Sequence, residues 1–236
     1  MDIRTLARCS LRALLAAAVC TALLACNAGI ASSKPVALPD PEIDPPFSTS
    51  DSATAVLAGG CFWGVEAVFE HVKGVRQVSS GYAGGDADDA NYHAVSRGRS
   101  DHAEVVKVVY DPSQISYGQL LKVFFSVAHD PTQLNRQGPD RGRQYRSAIF
   151  YGDAQQKRIA QAYVAQLDAA KAFPSPIVTQ LVPLQKFHPA EAYHQDYARL
   201  HPNDPYIVHN DAPKVVALKQ QFPKLYRPEP IAVSVR

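Results

Sequence analysis

Cysteine is almost missing from this chain. Cys9, Cys20 and Cys26 fall in the first 26 residues, and only Cys61 stands further on. One thiol cannot make a disulfide framework, so the domain must be held by an ordinary core. Charge of one sign is lacking too. Lys and Arg number 24 against 22 Asp and Glu, a net charge of +2, which gives no reason to expect nucleic acid or an acidic partner. There is no internal repeat, and no low-complexity tract beyond the N-terminus. The N-terminal apolar run is too short and too rich in small residues for a comfortable membrane span. Metal-ligand spacing is absent: His188, His194 and His201 are not at i, i+4, and no second cysteine stands near Cys61.

The 236 residues divide by composition. Residues 1–33 read as an export signal, with Arg4, Arg8 and Arg12 before an apolar run at 13–25. Leu23-Leu24-Ala25-Cys26 resembles a bacterial lipoprotein box with Cys26 as the lipidated residue, and ordinary cleavage after Ala31 is the alternative. Either route leads to the bacterial cell envelope, facing the periplasm, as an anchored lipoprotein or a soluble protein. Residues 34–52 carry five prolines and read as an extended linker. Residues 53–228 form one folded domain, and 229–236 a tail.

Within the domain, residues 53–58 read as a buried strand. A helix follows Cys61, with Phe62, Val65, Val68, Phe69 and Val72 as its apolar face and Gly74 as its stop. Strands are expected at 75–82, 102–110, 145–151 and 177–184. Residues 83–99 and 132–144 read as loops, and the four arginines from Arg136 to Arg146 read as a solvated loop face. Ser116 with Gln119, and Asp153 with Gln156, have capping-box spacing before helices. His188-Pro189-Ala190-Glu191 reads as a helix start with Pro189 in its first turn, and a last helix spans 212–222. Strands and helices mix without strict alternation, so the class is α+β: a two-layer sandwich with a mixed sheet flanked by helices.

Two glycines, Gly59 and Gly60, turn the chain into Cys61 at a helix N-terminus, with Phe62 and Trp63 directly after it. Free N–H groups and positive potential there favour a thiolate, and the aromatics would line an apolar pocket beside the sulfur. A free cysteine is also commonly a small buried hydrophobe. As a nucleophile it could serve hydrolysis with one of eight histidines as base, but no local protease signature surrounds it.

Gly60-Cys61-Phe62-Trp63-Gly64 resembles the signature of the A-type peptide methionine sulfoxide reductases. Gly81-Tyr82-Ala83-Gly84-Gly85 is similar to that family's glycine-rich turn, and His102-Ala103-Glu104-Val105-Val106 to its acid-bearing strand. His129-Asp130-Pro131-Thr132-Gln133, Asn135-Arg136-Gln137-Gly138, Asp140 and Gln144-Tyr145-Arg146-Ser147 look like its active-site loop. Residues 190–197 look like its C-terminal helix.

The resemblance implies a ferredoxin-like core with long loops and reduction of methionine S-sulfoxide, free or in proteins, with no bound cofactor and no metal. Carried over residue by residue, Cys61 attacks the sulfoxide sulfur. Phe62 and Trp63 hold the S-methyl group. Glu104 protonates the departing oxygen, Tyr92 and Tyr145 hydrogen-bond it, and Asp140 helps hold substrate. His194 and Tyr197 are read as structural. The chemistry asks for the same parts: an aromatic wall for the methyl, donors for the oxygen, and an acid kept protonated by burial.

The chain departs from the pattern in one respect. Many members carry further cysteines near the C-terminus that resolve the sulfenic acid, and none follows Cys61 here. The expected partners are therefore oxidised proteins, free methionine sulfoxide and an external thiol reductant, either a thioredoxin-like protein or a small thiol, acting on a monomer. The competing readings are a non-catalytic binder of oxidised methionine and a Cys-dependent acyl-transfer enzyme.

Overall fold

The computed structural model describes residues 37–45 and 50–232, which belong to one compact unit, Ala37–Arg236. The expected signal at 1–33, with Cys9, Cys20 and Cys26, lies outside the described residues.

Strand β1, Ala53–Gly59, alternates its side chains between two faces. Ala55 and Leu57 join the main core, while Val56 and Ala58 join a smaller cluster on the opposite face. Helix α1, Phe62–Glu70, follows, then β2, Val75–Ala83, and a short helix α2, Tyr92–Ser96. Strand β3 is Ala103–Tyr110, and helix α3, Tyr117–Val123, runs on into a π-helical turn at Phe124–Ala128. The two-residue strands β4, Arg136–Gln137, and β5, Asp140–Arg141, make a hairpin. Then come β6, Ser147–Tyr151, helix α4, Ala154–Ala169, β7, Gln180–Pro183, and β8, His188–Pro189. A one-turn helix α5, Tyr197–Leu200, and helix α6, Ala212–Gln221, complete the chain.

Six strands form one sheet in the order β7-β6-β1-β3-β2-β8. The central β6-β1-β3-β2 is antiparallel throughout, with α1 between β1 and β2 and α3 between β3 and β6. This is the ferredoxin-like order expected. Strand β7 joins β6 in parallel and makes the sheet mixed. Phe62, Val65, Val68, Phe69 and Val72 all enter the main core, as their helical spacing predicts. The opposite sheet face carries Phe150 among small residues, with Val182, Leu184 and Phe187 packed against them.

Antiparallel pairing gathers four strand ends at one end of the sheet. The end of β1 at Gly59 pairs with Ser147 at the start of β6. Glu104, second residue of β3, pairs with Tyr82 near the end of β2. Glu104 shares strand parity with Val106 and Val108, so it faces the side on which α1 packs. Cys61, Glu104 and Tyr145 thus reach one place from sequence positions far apart.

Four local expectations change. Residues 37–45 are packed on the domain rather than extended as a linker. Leu38 is buried, Tyr163 donates to the Pro39 carbonyl (2.9 Å), Lys122 pairs with Asp40 (2.8 Å), and Asp44 accepts from Gly118 N–H (3.0 Å). Residues 188–189 form a strand on β2, followed by a single 3-10 turn at Ala192–His194, so Pro189 opens no helix. The expected loop at 83–99 contains α2, started by Asn91, whose side chain accepts from Ala94 N–H (3.0 Å). Arg146 is buried, donating to the carbonyls of Arg143 and Asp101 (2.9 Å each), and is no part of a solvated face.

The two capping signals also differ. Ser116 and Gln119 bond reciprocally, each at 3.0 Å. Asp153 caps α4 through Gln156 N–H (2.8 Å), but the Gln156 side chain accepts from Gly152 N–H (2.9 Å) instead of closing the box.

Candidate active site

Cys61 stands at the N-cap of α1 and is 8% exposed. Gly60 has φ +95°, a left-handed conformation that suits glycine, and an added Cβ would lie 2.5 Å from the Gln137 side chain. The hairpin loop therefore closes directly over the turn before the thiol. Gln137 is fixed in its turn by two hydrogen bonds to the backbone of Asp130, accepting from N–H (3.2 Å) and donating to the carbonyl (3.0 Å). Cys61 lines a cavity of about 200 Å³ with Gln137, Asp140, Tyr206, His209 and Lys214.

Glu104 is 2% exposed, and one carboxyl oxygen accepts the N–H of Phe62 (3.1 Å), the residue after the thiol. The first turn of α1 has free N–H groups, and one of them fixes the acid. Burial pushes the Glu104 carboxyl up to about 8, with a smaller push from Asp140 and an opposing pull from the Phe62 N–H. At neutral pH the acid retains its proton, as the sulfoxide chemistry requires.

The thiol departs from expectation. A helix N-terminus should lower it, yet burial raises it well above its ordinary value, and the charges of Glu104 and Asp211 push the same way. The Trp63 N–H and the Lys214 ammonium pull it down and are outweighed. Desolvation wins because the sulfur lies under the hairpin rather than at an open helix end.

Tyr92 and Tyr145 lie within electrostatic reach of this pair. Burial raises Tyr145 and Tyr92, and in both the charges of Glu104 and Cys61 raise them further, so their hydroxyls remain donors. Asp140 accepts a short hydrogen bond from the Tyr206 hydroxyl, which ties the hairpin to the segment before α6.

The aromatic wall is supported from residues 194–206, among which His194 and Tyr197 read from the sequence as structural. Tyr197 stacks on Trp63, with centroids 3.8 Å apart and planes 9° from parallel. Tyr206 meets Trp63 edge-on at 6.0 Å. Trp63 Nε1 donates to His194 Nδ1 (3.2 Å), so that nitrogen is unprotonated, and burial lowers the His194 pKa accordingly. Glu191 accepts from the Tyr92 N–H (2.9 Å) and from the Tyr82 hydroxyl (2.9 Å), anchoring the start of α2. Glu191, Tyr206, Asp211 and Lys214 were not singled out from the sequence. Glu191 lies within the family-like segment 190–197, and no motif marks Tyr206, Asp211 or Lys214. All seven expected site residues, Cys61, Phe62, Trp63, Tyr92, Glu104, Asp140 and Tyr145, lie in this one region. No group of three or more metal-ligating side chains occurs among the described residues.

The model of the family described as peptide methionine sulfoxide reductase matches residues 53–226. A peptide methionine sulfoxide reductase MsrA 2 of Mesorhizobium japonicum is 60% identical over 182 residues, covering 77% of this chain and 93% of the relative. Its namesake from Synechocystis is 54% identical over 188 residues, 78% of this chain and 88% of the relative. Among solved structures, methionine sulfoxide reductase A of Corynebacterium diphtheriae is 32% identical with TM-score 0.56, covering 72% of this chain and 92% of that one. Mxr1 from Saccharomyces cerevisiae in reduced form is 30% identical with TM-score 0.58, covering 69% and 92%. Neither a binder without turnover nor an acyl-transfer enzyme fits this company. The chain belongs to the peptide methionine sulfoxide reductase family and reduces methionine S-sulfoxide to methionine.

Proposed function

We propose that Cys61 is the nucleophile and Glu104 the proton donor of this reduction. The observation that carries the assignment is the buried Glu104 carboxyl, hydrogen-bonded to the residue after the thiol and holding its proton up to about pH 8. The Cys61 thiolate attacks the sulfoxide sulfur while Glu104 gives its proton to the oxygen. Transfer of that hydroxyl to Cys61 releases the thioether and leaves Cys–SOH, so two electrons pass from Cys61 to the substrate. Tyr92 and Tyr145 donate to the oxygen, Phe62 and Trp63 receive the methyl, and Asp140 helps hold the substrate.

Regeneration in this reading falls to an outside thiol, supported by the lack of cysteine from residue 62 to 236 and by Cys61 being free among the described residues. Its thiolate displaces water from the sulfenic acid to give a mixed disulfide, and a second thiol releases Cys61. A thioredoxin-like protein or a small thiol would serve. The substrates are oxidised proteins of the envelope, reached by an enzyme that is lipid-anchored at Cys26 or exported free, a reading supported by residues 1–33 alone.

Incubation with a methionine S-sulfoxide peptide and dithiothreitol tests the core assignment. The wild type yields methionine over many turnovers, at most one equivalent without reductant, and Cys61→Ser yields none. Turnover by Cys61→Ser would remove Cys61 from its role. A thioredoxin-like protein with one active-site cysteine should be trapped on Cys61 after substrate is added, and failure of any Cys61 adduct to form would count against external resolution. Mass spectrometry of the mature N-terminus distinguishes anchor from free export.

A further inference from the structure

Asp211 and Lys214 have no role in the reaction as written, yet they press against the nucleophile's helix. Asp211 is 0% exposed and pairs with Lys214 at 3.0 Å, the lysine side chain itself being only 18% exposed. Both sit where the segment Ile207–Asp211 passes into α6. The pair lies on Gly64, three residues beyond Cys61: an added Cβ there would come within 2.0 Å of Asp211 Oδ1 and 2.6 Å of Lys214 Nζ. Glycine in the first turn of α1 is thus what admits an ion pair to the thiol's side. The other carboxylate oxygen, Asp211 Oδ2, is buried without a hydrogen-bond partner. Such a group is costly to keep, which is hard to reconcile with packing alone.

We propose that Lys214, paired with Asp211, is the cation that stabilises the anionic form of the Cys61 sulfur in the reaction. Both Lys214 and Cys61 line the 200 Å³ cavity, and among the described residues lining it Lys214 is the one permanent cation. Of the other groups facing the sulfur only the His209 imidazole, which lines the same cavity, can carry positive charge, and it does so only when protonated. Glu104 comes from β3, Asp140 from the hairpin, Tyr92 from α2, Tyr145 from before β6, and Tyr206 and Asp211 from the segment leading into α6. The acids repel an anion, and Glu104 must be protonated when the sulfur is not. The reactive arrangement is therefore a thiolate beside a carboxylic acid, and a cation next to the thiolate favours that placement of the proton. The electrostatics agree in sign, since Lys214 lowers the thiol and Asp211 raises it. Asp211 offsets part of the ammonium's charge at the sulfur.

The inference rests on Cys61 being the nucleophile, and its test needs no turnover. Alkylation of Cys61 by iodoacetamide, followed at the Cys61 peptide of the full chain by mass spectrometry across pH, reads the thiolate directly. Lys214→Met should move the midpoint upward and slow alkylation at fixed pH on the order of tenfold, since one pH unit is tenfold in thiolate below the midpoint. Asp211→Asn should move it downward and speed alkylation. Lys214→Arg should stay within about twofold of wild type, because it retains the charge. Opposite shifts from two members of one ion pair are not expected of a merely structural pair, whose loss would disturb the site in one direction. The proposal is overturned if both neutralising variants leave the profile in place or move it the same way, or if Lys214→Arg behaves like Lys214→Met. Sulfoxide reduction by Cys61→Ser, measured alongside, reports separately on the nucleophile.

Discussion

At the scale of single residues, proton placement decides activity. Glu104 acts as an acid only while protonated, and its burial moves the loss of that proton to about pH 8. With the thiol held above its ordinary value, thiolate still accumulates there, so the single-turnover rate without reductant should rise with pH and level off near pH 8, which rapid-quench measurement across pH would show. In Glu104→Gln the same measurement should find the rate down by roughly 10²–10⁴-fold, with that levelling gone. A retained plateau would assign it to another group. Glu104 was legible because it stands in a motif and on the right strand parity. The raised thiol was not legible. Helix position is written in the sequence, whereas desolvation depends on the hairpin that folds over Cys61 from 76 residues further on.

At the scale of elements, the helix that carries the thiol is positioned by contacts that tolerate little addition. Gly60→Ala would place a methyl against Gln137 at a positive φ, two faults at once. A stability loss of about 1–3 kcal/mol, read by urea denaturation, should accompany a marked fall in turnover. The Trp63 wall leans on residues from 194–206, so Tyr197→Leu should raise KM for the sulfoxide several-fold with little change in melting temperature, Tyr197 being half-buried. An unchanged KM would show the stack to be packing only. Helix α1 and the sheet were readable from periodicity, since their apolar faces repeat at 3.6 and 2 residues. The region 188–197 was not. Pro189 followed by an acid imitates a helix start, but its backbone is taken up in pairing with β2. The five prolines of 34–52 hid, in the same way, a segment that binds α3 and α4 through its carbonyls and acids.

At the scale of the whole molecule, buried acids set a pH range. Glu66 accepts from Ser80 and Asp196 N–H groups (3.2 and 3.1 Å), and burial, with Asp196 next, lifts it to about 8. Burial and then Glu66 lift Glu70 to about 9. With Glu104, these groups keep protons in the folded state that the unfolded chain gives up near 4.3. Their stabilising contribution is complete below that value and is lost as pH rises through 8 to 9. His129, buried and lowered to about 4, works the other way, but only below the unfolded histidine value of about 6.5. Between about pH 6.5 and 9 the carboxyl effect is therefore unopposed by His129, and melting temperature should fall steadily across that interval in differential scanning calorimetry. A flat profile would mean that the carboxyls are hydrated. Glu66→Gln should flatten part of the slope.

The stacking of Trp63 on Tyr197 has an optical consequence as well. Trp63 is the only tryptophan in the chain. Excited selectively, the protein emits from a single place, the wall of its own pocket. Arrival of a sulfoxide, departure of a thioether and docking of a reductant should each alter the colour or brightness of that emission, so the enzyme carries an unlabelled reporter of its own occupancy.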